Sequence, residues 1–397
     1  MKLTKLSLVA ALLIGSSAMA LENTKVTGDA NLYYQTQDGV ANDFFESGSS
    51  AADISVNLNV TTDVLKTDSV AISAGVGYTV LTTLGLEGTM VDGAWGAAHT
   101  ASGSAANGTQ NVDTVSWVNE AWVATTAGKT TAKVGRMELD TPLAFTEKWT
   151  IEKNTFESAV LINTDIPNTT LVGAYVGRGN GAGNGQGVVA TGGEFTNYGR
   201  QGAYVVAAIN NSWEPLTLQA WYYDIVSVAQ ASWLQADLSM NNIVAGAQYA
   251  TLSLNNIDSA AAAAMIGYNY DVISAQLSYS QVSTNGDTGY NTATSLATSG
   301  NSQTKLYTDA WWNYGQVTLA GAKTVHLTVE APTSVADLAL YVTSIDHVAV
   351  NSDLLEVTAT ATKSMGPIDA TLAYIYTDID NNTDATSIIQ VYLTANF

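Results

Sequence analysis

The 397-residue chain has no cysteine, five prolines, three histidines and three arginines. Without cysteine it cannot rely on the disulfide staples common in small secreted domains. Charged residues make up 12%, about half the ~25% usual in soluble domains. Only Arg136, Arg178 and Arg200 carry a guanidinium, and the net charge is −21. That balance excludes a nucleic-acid binder, which needs a basic surface. It fits attraction of small cations or a divalent ion. Beyond residue 20 no apolar run reaches the ~20 residues of a membrane helix. The richest, Ala260 to Ile266, is short and built of small residues. His99, His326 and His347 are too scattered for a zinc site, and no G-x-S-x-G elbow occurs. The chain reads as a non-enzyme. The best hydrolase alternative places His347 beside Asp346 and Asp353, but sequence neighbours are weak evidence of catalytic geometry.

What is present begins at the N-terminus. Lys2 and Lys5 precede the apolar stretch Leu6 to Gly15, and Ala18-Met19-Ala20 is a small-x-small cleavage site. Residues 1–20 read as a secretory signal peptide of the Sec type, and the mature chain begins at Leu21. Removing two lysines leaves 12 cations against 35 acids, a net charge of −23.

The mature chain repeats with a period of two, which predicts strands. Ile54, Val56, Leu58 and Val60 alternate with Ser55, Asn57 and Asn59. Ile273, Ala275, Leu277 and Tyr279 alternate with Ser274, Gln276 and Ser278. The second face is small and polar but rarely charged, as expected of strands with one lipid side and one wet side. An exported chain without membrane helices crosses a bilayer only as a closed barrel. Long connections fall near 36–52, 81–112, 138–154, 179–201 and 283–304; short ones fall near 126–129, 164–168, 211–215, 239–242 and 364–367. Long outer loops and short periplasmic turns fit an all-β, transmembrane antiparallel barrel spanning 21–397. Nineteen strand-like segments can be marked, but bacterial barrels have even counts. The parity breaks between Lys305 and Ile345. The expectation is about 18 strands, with 16 as the alternative.

Two constellations bear on function. Ile389, Val391, Leu393, Ala395 and Phe397 alternate with Gln390, Tyr392, Thr394 and Asn396. This ending, above all Tyr392, Leu393, Ala395 and Phe397, resembles the signal read by the outer-membrane barrel assembly machinery. The second is the charged third outer loop with its flanks: Arg136, Glu138, Asp140, Glu147, Lys148, Glu152, Lys153 and Glu157. Charges at a narrow point of a low-dielectric wall set ion preference. Five carboxylates against three cations predict a weakly cation-preferring constriction. The alternative is an ordinary solvated loop.

Other features carry less. Asp378, Asp380, Asn382 and Asp384 follow the first half of a calcium loop, but Thr383 and Ile389 stand where glycine and glutamate are required. These aspartates remain weak metal candidates. Gly177 to Gly193 formally contains a dinucleotide fingerprint, without the helix that gives it meaning. The scattered tryptophans predict interface girdles.

The segments "VNEAWVATTAGKTTAKVGRMELDTPL" and "WYYDIVSVAQASWLQADLSMNNIVAGAQYA" resemble the Campylobacter-type major outer membrane porins, which are related to OprD-like porins. The likeness runs in patches and is most specific over Val134 to Leu143. It implies a trimeric outer-membrane porin of about 18 strands, passing small hydrophilic solutes through a lumen narrowed by loop 3. It also suggests calcium near the constriction, although no obligate cofactor is expected. Lipid and lipopolysaccharide are the expected surroundings. OprD-like carboxylate channels use a ladder of arginines, which three arginines cannot supply. A general pore is therefore preferred, with a poorly conducting structural or adhesive barrel as the alternative.

Overall fold

The computed structural model describes residues 22–38, 43–82, 84, 90–91, 114–148, 151–181, 193–294, 296, 302–347, 352–380 and 384–397. The leader, His99, Trp149, most of the glycine-rich stretch and Asn382 lie outside them.

Eighteen strands close into one transmembrane antiparallel barrel. They are β1 (Glu22–Asp38), β2 (Ser50–Lys66), β3 (Val70–Thr82), β4 (Val115–Ala127), β5 (Thr130–Met137), β6 (Phe156–Asn163), β7 (Thr169–Gly179), β8 (Ala203–Trp213) and β9 (Leu216–Ile225). The second half is β10 (Ala229–Met240), β11 (Ile243–Leu254), β12 (Ile257–Tyr270), β13 (Ile273–Val282), β14 (Ala322–Pro332), β15 (Asp337–His347), β16 (Ser352–Met365), β17 (Ile368–Ile379) and β18 (Thr386–Asn396). Each pairs with its chain neighbour. β18 closes the ring on β1, with Leu393 opposite Leu32. Closure leaves no sheet edge, so backbone groups in a membrane are satisfied within the barrel.

The alternation sorts the two faces as the sequence predicts. Val56, Val123, Val134, Leu234, Leu277 and Leu372 stand exposed on the outer wall. Asp53, Ser55, Asn57, Gln248, Glu356 and Gln390 are buried toward the lumen. The tight ends follow turn chemistry: Asn255 and Asn256 both take positive φ, the geometry of a two-residue hairpin turn. Even-to-odd connections are all short turns, and the long loops are all odd-to-even connections, although those joining β9 to β10 (226–228) and β11 to β12 (255–256) are short as well.

The expected count of 18 holds, and the parity break has a structural cause. Residues 283–321 form one connection, loop 7, between β13 and β14. Among its described residues it contains one helical turn, Tyr314–Val317, and no barrel strand. The surplus strand of the nineteen came from here. The tryptophan girdle needs correction. Trp117, Trp221 and Trp233 are buried on the lumen side, and among the described tryptophans only Trp213 is exposed. The outer belt is tyrosine instead: Tyr175, Tyr204, Tyr222, Tyr249, Tyr268 and Tyr279 are exposed.

Candidate functional site

Loop 3 (residues 138–155) starts with a small hairpin, Asp140–Thr141 against Ala144–Phe145. Its tip is apolar, and Leu143, Ala144 and Phe145 are buried. The Leu143 amide donates to the Tyr223 hydroxyl on β9 at 3.3 Å. At its other end Glu152 accepts from Asn57 Nδ2 of β2 at 3.0 Å. Both partners face the lumen, so loop 3 bonds to two separate sectors of the inner wall.

Loop 7 bonds to loop 3 and to a third sector. Asn291 brackets Phe145: its Oδ1 accepts the Phe145 amide at 3.2 Å, and its Nδ2 donates to the Phe145 carbonyl at 2.7 Å. Thr292 donates from its amide and its hydroxyl to the Leu143 carbonyl. Glu147 is fully buried between the loops. It accepts from Asn291 Nδ2 at 2.6 Å, Thr294 Oγ1 at 3.1 Å and the Gln303 amide at 3.2 Å. Further along, Glu356 of β16 accepts the amides of Trp311 and Asn313 at 2.9 and 2.8 Å. The Tyr307 hydroxyl donates to Asp237 of β10. It passes over Gly246, where a Cβ would stand 2.2 Å from that hydroxyl. A strand glycine here marks a close approach.

Six of the eight sequence-selected charges belong to loop 3. Lys153 bridges Glu138 and stands 4.0 Å from Glu120 of β4. Lys305 of loop 7 pairs with Asp140 at 2.8 Å and lies 4.7 Å above the Phe145 ring. Glu147 and Glu152 are buried, whereas the backbones of Lys148 and Lys153 bridge. A cavity of about 640 Å3 adjoins the loop, lined by Lys133, Glu138, Asp140, Lys305, Val172 and Trp221 among others. Lys133 lies 4.1 Å above the Trp122 ring. The sequence singled out neither Lys133, Glu120 nor Lys305, and marked loop 7 only as a long connection over 283–304.

The other two charges stand elsewhere. Arg136 continues β5 two residues beyond Val134, which is exposed on the outer wall. Glu157 is its cross-strand partner on β6. Both therefore stand on the outward face of their strands, opposite to the face that carries Lys133. They were read as loop residues, but the strands extend to include them and alternation then fixes their face.

Remaining expectations are placed as follows. On β18, Tyr392 points inward against Tyr33, with ring centroids 4.9 Å apart, and Leu393 and Phe397 are exposed. Asp378 ends β17 facing out, and the Asp380 amide bonds the Asp353 carbonyl at 2.9 Å. Among the described residues no group of three or more His, Asp or Glu is arranged to hold a metal ion. His347 is buried on the inner face. Asp346 turns outward, 3.7 Å from Lys323, so strand alternation separates the proposed pair. His326 bonds Thr343 and Thr328 instead.

Burial also perturbs the loops. Asp309 of loop 7 is half-buried, with its Oδ1 enclosed and unpartnered. Burial, then the charges of Glu147 and Glu356, hold its carboxyl well above the usual carboxylate range. The folded state thus binds a proton more tightly than the unfolded state. Stability falls as pH rises from the ordinary value near 4 toward the raised one. Asp309→Asn is expected to stabilise the detergent-solubilised protein at pH 7 by about 1–3 kcal/mol. The gain should vanish below about pH 4 in thermal melts. An equal gain at both pH values would contradict this assignment.

No family model matches the chain, and no curated protein matches it in sequence. Solved structures do. Pseudomonas aeruginosa OpdK with vanillate superposes with a TM-score of 0.74 at 11% identity, covering 95% of this chain and 99% of that one. Pseudomonas aeruginosa OccK3 (OpdO) gives 0.74 at 10% identity over 97% and 99%. Pseudomonas aeruginosa OccK2 (OpdF) in complex with glucuronate gives 0.70 at 11% identity over 95% and 98%. At such identity the likeness shows the fold, and it covers nearly the whole of both chains: this protein is an 18-stranded transmembrane barrel with the architecture of those solved structures.

Proposed function

We propose that this protein is an outer-membrane porin that passes small hydrophilic solutes and ions by passive diffusion. Loops 3 and 7 together form its constriction. The observation that carries the reading is the bonding of both loops to lumen-facing Asn57, Tyr223, Gln248 and Glu356 beside a charged cavity. Such an arrangement narrows a barrel without closing its wall.

The charge pattern supports a weak cation preference. Inner-wall and loop carboxylates include Asp29, Asp53, Glu120, Glu138, Asp140, Asp237 and Glu356. Facing them are Lys133, Lys148, Lys153 and Lys305. Charges focused between low-dielectric walls enrich counter-ions. Vanillate and glucuronate accompany two of the similar structures, OpdK and OccK2. Here Arg136 and Arg178 lie on the outer wall, so no arginine ladder supports a carboxylate-specific pore. No chemistry is assigned, since alternation separates His347 from Asp346. A homotrimer, delivered by the Sec leader and the barrel assembly machinery, completes the proposal.

Selectivity tests the charge argument. In a salt gradient the cation-to-anion permeability ratio is expected to exceed one. It should fall about twofold in Glu138→Gln/Asp140→Asn. An unchanged ratio would remove loop 3 from the selectivity mechanism.

A further inference from the structure

We propose that Arg136 and Arg178 form an outward-facing site for the phosphate of an anionic lipid headgroup in the outer leaflet. This rests on the outer-membrane reading above.

Arg136, Glu157 and Arg178 are cross-strand neighbours on β5, β6 and β7. Their face is set by Val134 and Leu161, both exposed on the lipid side. A register shift beside Glu157 returns Arg178 to that face. Glu157 joins the two guanidiniums, with Arg136 Nη2 at 2.8 Å and Arg178 Nε at 2.6 Å. One carboxylate neutralises only one of two cations. Arg136 is further held by the Val118 carbonyl and lies 3.7 Å from the Phe195 ring centroid. Arg178 keeps 51% of its side chain exposed.

The site's height matches a headgroup. Just below it, exposed Tyr175 and Tyr204 meet in a tilted pair with ring centroids 5.2 Å apart, and amphipathic rings settle at the membrane interface. The Tyr175 hydroxyl donates to the Gln201 carbonyl at 3.0 Å, which brings the backbone next to Arg200 into the same sector. All three arginines of the chain thus gather at one stretch of rim. Glu157 and exposed Glu194 are the carboxylates there.

Asp224 lies one strand beyond Tyr204 at the edge of this sector, and farther round the outward rim carries Asp258, Asp353 and Asp378. An anionic lipid is repelled by those sectors and attracted by this one. The guanidinium suits the task because it presents paired donors to phosphate oxygens. Glu157 takes the Nε and Nη2 edge of Arg178 and Nη2 of Arg136, which holds both guanidinium planes in advance and keeps the Nη1 donors of Arg178 outside that pair for a phosphate oxygen.

The test is titration of the detergent-solubilised full chain with bisphosphorylated lipid A and with the same lipid stripped of phosphate. The phosphorylated lipid is expected to bind at least tenfold tighter. Arg178→Gln should weaken it at least fivefold. Arg136→Gln/Arg178→Gln should bring it to the level of the stripped lipid. Lys323→Gln, at a rim lysine paired with Asp346, should bind as wild type. Heat-modifiable gel migration verifies that each variant keeps its barrel. Equal binding of the two lipids overturns the proposal, as does wild-type binding by Arg178→Gln. So does displacement by millimolar inorganic phosphate, which indicates a general anion site. Subunit dissociation of the double variant at unchanged lipid affinity assigns the face to a protein contact instead. Lipid titration does not depend on conductance, so a silent channel with intact lipid binding separates this inference from the porin reading.

Discussion

Replacing residues 288–318 of loop 7 with a short glycine-serine turn is expected to raise single-channel conductance at least threefold. The barrel should remain intact. β13 and β14 pair directly over Ser274–Gln281 and Lys323–Glu330, so wall closure does not require the loop. The loop's bonds to Gln248, Glu356 and Thr377 all reach inward. Removing it frees lumen volume and leaves wall groups such as Glu356 to water. Planar-bilayer recording with gel-shift verification of folding reads both halves. An intact barrel with unchanged conductance would show that loop 7 does not narrow the passage.

Glu147→Ala should produce a related but different effect. Truncation strips acceptors from Asn291, Thr294 and Gln303 at once. Each buried donor left unpaired costs about 1–3 kcal/mol, though neighbouring losses do not simply add. That is enough to free the contact between loops 3 and 7 while the strand ladders hold. The expected record shows conductance raised by about half and new millisecond fluctuations, the range of loop opening. Glu147→Gln keeps an acceptor oxygen and should stay near wild type. Steady wild-type currents from Glu147→Ala would remove Glu147 as the joint.

Much of this architecture was legible in the chain, for a clear reason. A strand between lipid and water must alternate, and Ile54–Val60 or Ile273–Tyr279 do so without interruption. Loop 3 was legible because Glu138, Asp140, Glu147 and Lys148 break that alternation with charge. Loop 7 was legible only in part: 283–304 stood out as a long connection, but residues 305–321 mix Thr, Asn, Tyr and Trp as a lumen-facing strand does. Its traces were indirect: a failed parity, a lone Gly246 within a strand, and a charged Glu356 on an inner face. Arg136 and Glu157 were misplaced because strand ends are poorly marked in sequence. Once β5 reaches Met137 and β6 begins at Phe156, alternation turns both outward. Tryptophan misled because its ring suits a lumen wall as well as a membrane interface.

The central claim is an open, charged passage through this barrel, and reconstitution of the purified protein in planar bilayers tests it most directly. Stepwise, ohmic conductance with a reversal potential favouring cations is the predicted result. A correctly folded, heat-modifiable barrel that inserts and stays electrically silent would contradict it, and would assign the molecule a structural role on the cell surface.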